Sequence, residues 1–285
     1  MAASPTLRRR RVARLLLQQR ERAGLTAKAV AAEAKQRSGK TRGWSESKVN
    51  RLETGEWKRL SIDDVLLLLD IYDVTDESER EDYARLVREA NQKGWWATYE
   101  NVLGGGQLIG LEAEAPSIRS YQSMTIPGLL QTESYARAMA TASAMGETGD
   151  VERRVEARML RKNVFSKAKP PAFWTVIDEA ALLHITPELR DQLEYLVDVS
   201  RHPHIGIQVL PVALGPHAAM TGHFVIMEFP MPDPPVVYLE AVSEELYLES
   251  EHQVREYQRR FDFVQASALS VDESRELIRA RLSSL

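Results

Sequence analysis

A chain of 285 residues, 44% hydrophobic and 27% charged, carries enough apolar material for a folded core and is long enough for a small domain beside a larger one. It has no cysteine, which excludes disulfide frameworks, thiolate zinc sites and cysteine nucleophiles and fits a cytoplasmic protein. The net charge of −4 hides a division: residues 1–60 hold sixteen Lys and Arg against five Asp and Glu, a surplus of +11 that leaves −15 to the other 225 residues. A basic head on an acidic body is the electrostatic footprint of a nucleic-acid-binding domain joined to one with a different task, a merely solvated basic face being the plainer alternative.

The first predicted element runs from Leu7 to Ala23, with Leu7, Val12, Leu15, Leu16 and Ala23 on one helical stripe and Gly24 as its stop. The apolar run after Arg14 ends at Gln18, so neither a targeting peptide nor a membrane span is expected. Thr26 caps a second helix, "AKAVAAEAK", whose alanines suit close packing. The basic segment "QRSGKTRG" reads as a lengthened turn. In "WSESKVNRLETGEW", Ser45 is the N-cap of a third helix, Trp44 staples onto Val49, and Gly55 closes it in a left-handed cap. Val49 and Leu52 then point inward, which turns Glu46, Ser47, Lys48, Asn50 and Arg51 outward. A fourth helix starts at Ser61 and is buried through "VLLLLDIY".

The runs "GLTAKAVAAEAK", "WSESKVNRLETGEW" and "SIDDVLLLLDIYDV" resemble the XRE family of helix-turn-helix transcriptional regulators, whose third helix reads double-stranded DNA. The resemblance implies base contacts from Glu46, Ser47 and Arg51, with Lys48 and Asn50 close by. Arg51 could instead meet a phosphate or an acid such as Glu53, and Glu46 could merely complement the helix dipole. Where the family often has a backbone-touching Gln at the start of the second helix this chain has Ala27, for which Lys28 would substitute. Lys40 and Arg42 in the long turn, and Arg59 after the third helix, carry charge suited to phosphates.

Past residue 75, "DESEREDYARLVREANQKG" is a charged amphipathic helix with Tyr83, Leu86, Val87 and Ala90 on its apolar side, joining two domains or packing under the first. Trp95 and Trp96 read as a packing anchor, an interface or a ligand wall. Gly104, Gly105, Gly106 and Gly110 lack the strand and Lys of a phosphate loop and read as a linker. Further on, Thr132 caps a helix carrying Tyr135, Ala138 and Met139, and a basic helix spans roughly 149–163. Strands are predicted at "AFWTVI", "IGIQVLP", "HFVIMEF", "VVYLE" and "LYLES". Helices are predicted at "TPELRDQLEYLVDVS", "HQVREYQRRFDFVQASA" and "SRELIRARLSSL".

The fold class is therefore two domains: an N-terminal all-α, lambda-repressor-like helix-turn-helix over 1–76, a linker helix and loop over 77–110, and a C-terminal α+β domain with a mixed or antiparallel sheet over 111–285. The phrases "IPGLLQTESYARA", "VEARMLRKN", "FWTVIDEAALL", "IGIQVLP" and "VVYLE" extend the resemblance to actinobacterial regulators of the WhiJ-like and AbaA-like kind. This implies a regulator of development or antibiotic production, often encoded beside a small partner protein. His202, His204, His217 and His223 are the one candidate metal cluster, and Asp178, Glu179 and Glu240 the candidate acids, but no His-Glu-x-x-His or Gly-x-Ser-x-Gly occurs. No catalysis, no cofactor and no metal are expected. The expected function is a dimeric, sequence-specific transcriptional regulator whose second domain binds a small-molecule effector or a partner protein. The alternative is a toxin- or antitoxin-like interaction module with autoregulatory DNA binding.

Overall fold

The computed structural model describes residues 5–39, 43–57, 59–103, 106–143, 150–241 and 244–285, which form two compact units, Met1–Thr98 and Tyr99–Leu285. The first holds helices α1 (Pro5–Arg22), α2 (Ala27–Arg37), α3 (Glu46–Thr54), α4 (Ile62–Ile71) and α5 (Glu77–Ala90). Side-chain caps set four of the starts: Thr26, Ser45, Ser61 and Asp76 accept from the backbone N–H of Ala29, Lys48, Asp64 and Glu79 at 3.2, 3.1, 3.4 and 2.8 Å. Gly55 ends α3 with φ 77°, the left-handed geometry a side chain resists.

The core of this unit joins Val12 and Leu16 of α1 to Val30 and Ala34 of α2, Val49 and Leu52 of α3, Val65, Leu68 and Leu69 of α4, and Tyr83 and Val87 of α5. One expectation changes. Ala23 lies beyond α1 and is exposed, while Ala13, not part of the predicted stripe, is buried. Of the two roles read for the helix at 77–90, joining the domains or packing under the first, it takes the second, because Tyr83, Val87 and Ala90 have a hydrophobic face to cover and α1 to cover it with. Polar ties hold it there: Gln19 Nε2 donates to Glu79 at 2.7 Å, Arg8 pairs with Glu89 at 2.6 Å, and the Asn91 amide bonds both backbone groups of Leu60 at 2.9 and 2.8 Å.

The second unit is α+β. Its helices are α6 (Glu100–Leu103), α7 (Gln107–Glu112), α8 (Glu133–Ser143), α9 (Val151–Arg161), α10 (Glu179–Leu183), α11 (Arg190–Val199), α12 (Glu251–Ser267) and α13 (Val271–Ser283). Its strands are β1 (Ser117–Gln122), β2 (Ala172–Asp178), β3 (Ile205–Leu210), β4 (Phe224–Glu228), β5 (Val236–Glu240) and β6 (Glu245–Leu248). They form one mixed sheet in the order β3-β2-β1-β4-β5-β6, parallel among β1, β2 and β3 and antiparallel from β1 through β6. The five predicted strands are present, and β1, which the pattern did not reveal, lies near the centre between β2 and β4. Gly110, read as linker, sits buried in α7.

The sheet's two faces have different covers. On one, Tyr121, Val176, Phe224, Ile226 and Val237 pack with Val254, Phe261 and Val264 of α12. On the other, Ile118, Ser120 and Gln122 of β1 face a cavity. The outer edge of β3 is closed by the α12–α13 junction: Leu269 N–H donates to the Val209 carbonyl at 2.9 Å, and Ser274 Oγ accepts from Val209 N–H at 2.8 Å. No helix among the described residues is long and apolar enough to cross a membrane.

Candidate nucleic-acid interface

α3 is held on its inner side by two kinds of contact. Val49 and Leu52 are buried in the core, and Glu53, also buried, takes a two-pronged salt bridge from Arg20 of α1, with Nε and Nη2 at 2.7 and 2.8 Å from its two oxygens. The Glu53 hydrogen bond is the largest influence raising the Arg20 pKa, and Arg20 also reaches the Leu25 carbonyl at 2.8 Å. Glu53 is thereby committed to α1 and is not the partner of Arg51. Trp44, read as a staple onto Val49, is buried in the same core as Val49, and the Lys48 ammonium lies 3.9 Å from its ring centre.

The outer side of α3 is a different surface. Glu46, Ser47, Asn50 and Arg51 are all exposed, and with Ser45, Thr54 and Glu56 they line a shallow, open depression. The spacing explains this, since positions 46, 47, 50, 51 and 54 fall on one helical face. Arg51 Nη1 donates to Ser47 Oγ at 3.2 Å, which leaves most of its guanidinium donors turned to solvent. The Glu46 and Asn50 side chains make no hydrogen bond among the described residues.

Such a face can read bases. A guanidinium matches the two acceptors of guanine, a carboxamide matches adenine, a carboxylate accepts from cytosine, and a hydroxyl can do either. Because α3 is anchored through Glu53, Val49, Leu52 and Trp44, these groups are presented from a rigid support.

Lys48 is placed differently from its neighbours. Predicted to turn outward, it is only half exposed, and its ammonium lies 2.7 Å from the Asp64 carboxylate of α4 as well as over Trp44. Its carbon stem follows the inner flank of the helix, so it ties α3 to α4 rather than facing out beside Asn50. Lys28 and Arg59 are exposed and unbonded among the described residues, while Ala27 beside Lys28 has its short side chain buried. Lys40 and Arg42 lie outside the described residues. Thr54 and Glu56, which the sequence reading did not name, share the depression with Arg51. The helical spacing from Asn50 to Thr54 would have found the first of them.

In the second unit, the histidines do not gather into one site. His202 and His204 lie together with ring centres 5.8 Å apart, whereas His217 meets Asp178 at 3.4 Å and Tyr121 at 3.4 Å. Among the described residues no three His, Asp or Glu side chains are grouped to hold a metal ion. Asp178 caps α10 by accepting from Ala180 N–H at 2.9 Å, and Glu179 accepts from Val212 N–H at 2.9 Å, so both carboxylates have structural partners. Burial and the Asp178 charge push the Tyr121 phenol above its ordinary range.

Comparison with known proteins gives the two units separate matches. A family model described as a helix-turn-helix domain matches residues 11–82, and one described as a domain of unknown function (DUF5753) matches residues 106–280. No curated protein and no solved structure matches the chain.

Proposed function

We propose that this chain, which belongs to the DUF5753 family and carries a helix-turn-helix domain ahead of that region, is a sequence-specific transcriptional regulator. The observation that carries the reading is the outer face of α3. Glu46, Ser47, Asn50 and Arg51 are exposed donors and acceptors on a helix whose opposite side is locked by the Arg20–Glu53 pair and a buried core. Anchoring of this kind holds any helix in its domain, but together with four exposed hydrogen-bonding side chains on the outer face it presents those groups in a fixed orientation, which entry into a major groove requires.

In this reading the protein is a cytoplasmic regulator of the WhiJ-like and AbaA-like kind, without catalytic activity, and its second unit receives an effector or a small partner protein. One recognition helix covers only a few base pairs, so specific binding calls for a homodimer on two half-sites about one helical turn apart. The test is a gel shift with residues 1–98 at low salt, followed by selection of bound sequences from a random pool and light scattering of the complex. Enrichment of a paired motif by two copies supports the proposal. No enrichment, with a protein captured by residues 99–285, would favour the interaction-module alternative.

A further inference from the structure

The described residues of the second unit enclose a cavity of about 730 Å³ on the sheet face opposite α12. That size lies within the range of small-molecule sites. Its floor is the sheet, where register places Ile118 beside Phe173 and Ser120 beside Val225, with Tyr238 next in line. One wall is α9, which contributes Arg154, Arg158 and Arg161, three guanidiniums on one helical face at spacings of four and three. Apolar surface from Ile126, Leu129 and Met139 completes the enclosure.

The three arginines are not equally satisfied. Arg161 forms a two-pronged pair with buried Glu112, at 3.0 and 2.8 Å. Arg158 makes a single hydrogen bond among the described residues, from Nη1 to the neutral Gln131 amide oxygen at 2.8 Å, and no ion pair. Gln131 cannot neutralise it, since an amide carries no charge, and its Nε2 donates to the Ile126 carbonyl at 2.8 Å. Among the described residues Arg154 has no ion pair either, and its Nε is buried there without a hydrogen-bond partner. Desolvation lowers the Arg158 pKa and the neighbouring Arg161 charge adds to this, while the Glu240 and Glu112 carboxylates act the other way without bonding it. The other carboxylate of the lining, Glu240, is exposed.

A guanidinium has five donors and stays charged in proteins, so two of them whose one side-chain partner among the described residues is a neutral amide, with Glu112 taken by Arg161 and Glu240 exposed, leave donors that an oxyanion completes. We propose that this cavity binds a small organic anion, its carboxylate, phosphate or sulfonate held by Arg158 and Arg154 and its apolar body laid against Ile126, Leu129, Met139 and the sheet. Arg161 is the positioning residue, kept on the wall by Glu112. This deepens the effector half of the function proposed above, but binding to the cavity does not require DNA.

The probe is 8-anilinonaphthalene-1-sulfonate, an anion with an apolar body, titrated by fluorescence into the full chain without DNA. We expect saturable binding of one probe per chain, displaced by inorganic phosphate more effectively than by chloride at equal ionic strength. Arg158→Gln should weaken it about tenfold or more, as expected for losing a charged hydrogen-bond partner, while Arg153→Gln on the exposed side of α9 leaves it unchanged. Circular dichroism and thermal midpoint show whether each variant is folded, and Arg154→Gln replaces Arg158→Gln if the latter is not. Absent saturable binding, or unchanged affinity in a folded Arg158→Gln or Arg154→Gln chain, overturns the proposal. Because no DNA is present, these outcomes are independent of whether α3 reads bases.

Discussion

Arg51 and Lys48 sit three residues apart on one helix and are expected to respond in opposite ways. Arg51 is exposed, hydrogen-bonds only Ser47 among described side chains, and has donors to spare. Arg51→Ala should cost about 1–3 kcal/mol on the specific site and relax choice at one base position, with weak non-specific binding little altered. Binding isotherms on selected and scrambled duplexes check this. Lys48 is already engaged by Asp64 and Trp44. Lys48→Ala should therefore lower the stability of the first unit by roughly 0.5–1 kcal/mol while base preference stays as it was. Thermal melts and a repeated selection would distinguish the two effects. The sequence showed which side of α3 is apolar but could not assign Lys48, because a long side chain on the flank of a helix reaches inward or outward according to what lies beside it. Here Asp64, sixteen residues away, decides.

At the scale of elements, the start of α3 and the role of α5 carry the next expectations. Ser45 is the side-chain acceptor that caps α3, so Ser45→Ala should destabilise the first unit by about 1 kcal/mol, measured by chemical denaturation. DNA affinity should fall only as far as the helix frays. For α5, a fragment ending at residue 76 exposes Val12 and Leu16 and loses buried Tyr83 and Val87, each contributing about 1.5–3 kcal/mol. That is a large share of a stability of about 5–15 kcal/mol. Residues 1–98 should melt cooperatively, and residues 1–76 should show little helix by circular dichroism at the same temperature. Amphipathicity made α5 visible in the sequence without saying what its apolar side would cover. The same limit hid β1: "SIRSYQ" is polar at four of its six positions, and Ser120 and Gln122 look like surface residues until the sheet encloses them.

For the whole molecule, the charge division between residues 1–60 and the remainder predicts strong dependence of DNA binding on salt. Each phosphate neutralised by residues such as Lys28, Lys40, Arg42 and Arg59 should add roughly 0.9 to the slope of log affinity against log salt. Replacing Lys28 and Arg59 together by Ala should flatten that slope by about 2 on every duplex alike, which fluorescence anisotropy across a salt series would register. An unchanged slope would remove both from the backbone contacts.

Local sequence alone determined the caps at Thr26, Ser45 and Ser61 and the left-handed close at Gly55, since these rest on interactions within a few residues, and its apolar pattern marked the inward Val49 and Leu52 and five of the six strands, though distant segments complete them. Tertiary structure decided what depends on distant partners. It gave Glu53 to Arg20 and so freed Arg51, drew Lys48 to Asp64, and folded α5 onto α1. It also turned a basic helix, visible as "VERRVEARMLRKN", into the wall of a cavity. The spacing of Arg154, Arg158 and Arg161 was there to be read, but that Glu112 satisfies one and only a neutral amide meets another follows from chain segments brought together by the sheet, and no local pattern encodes that.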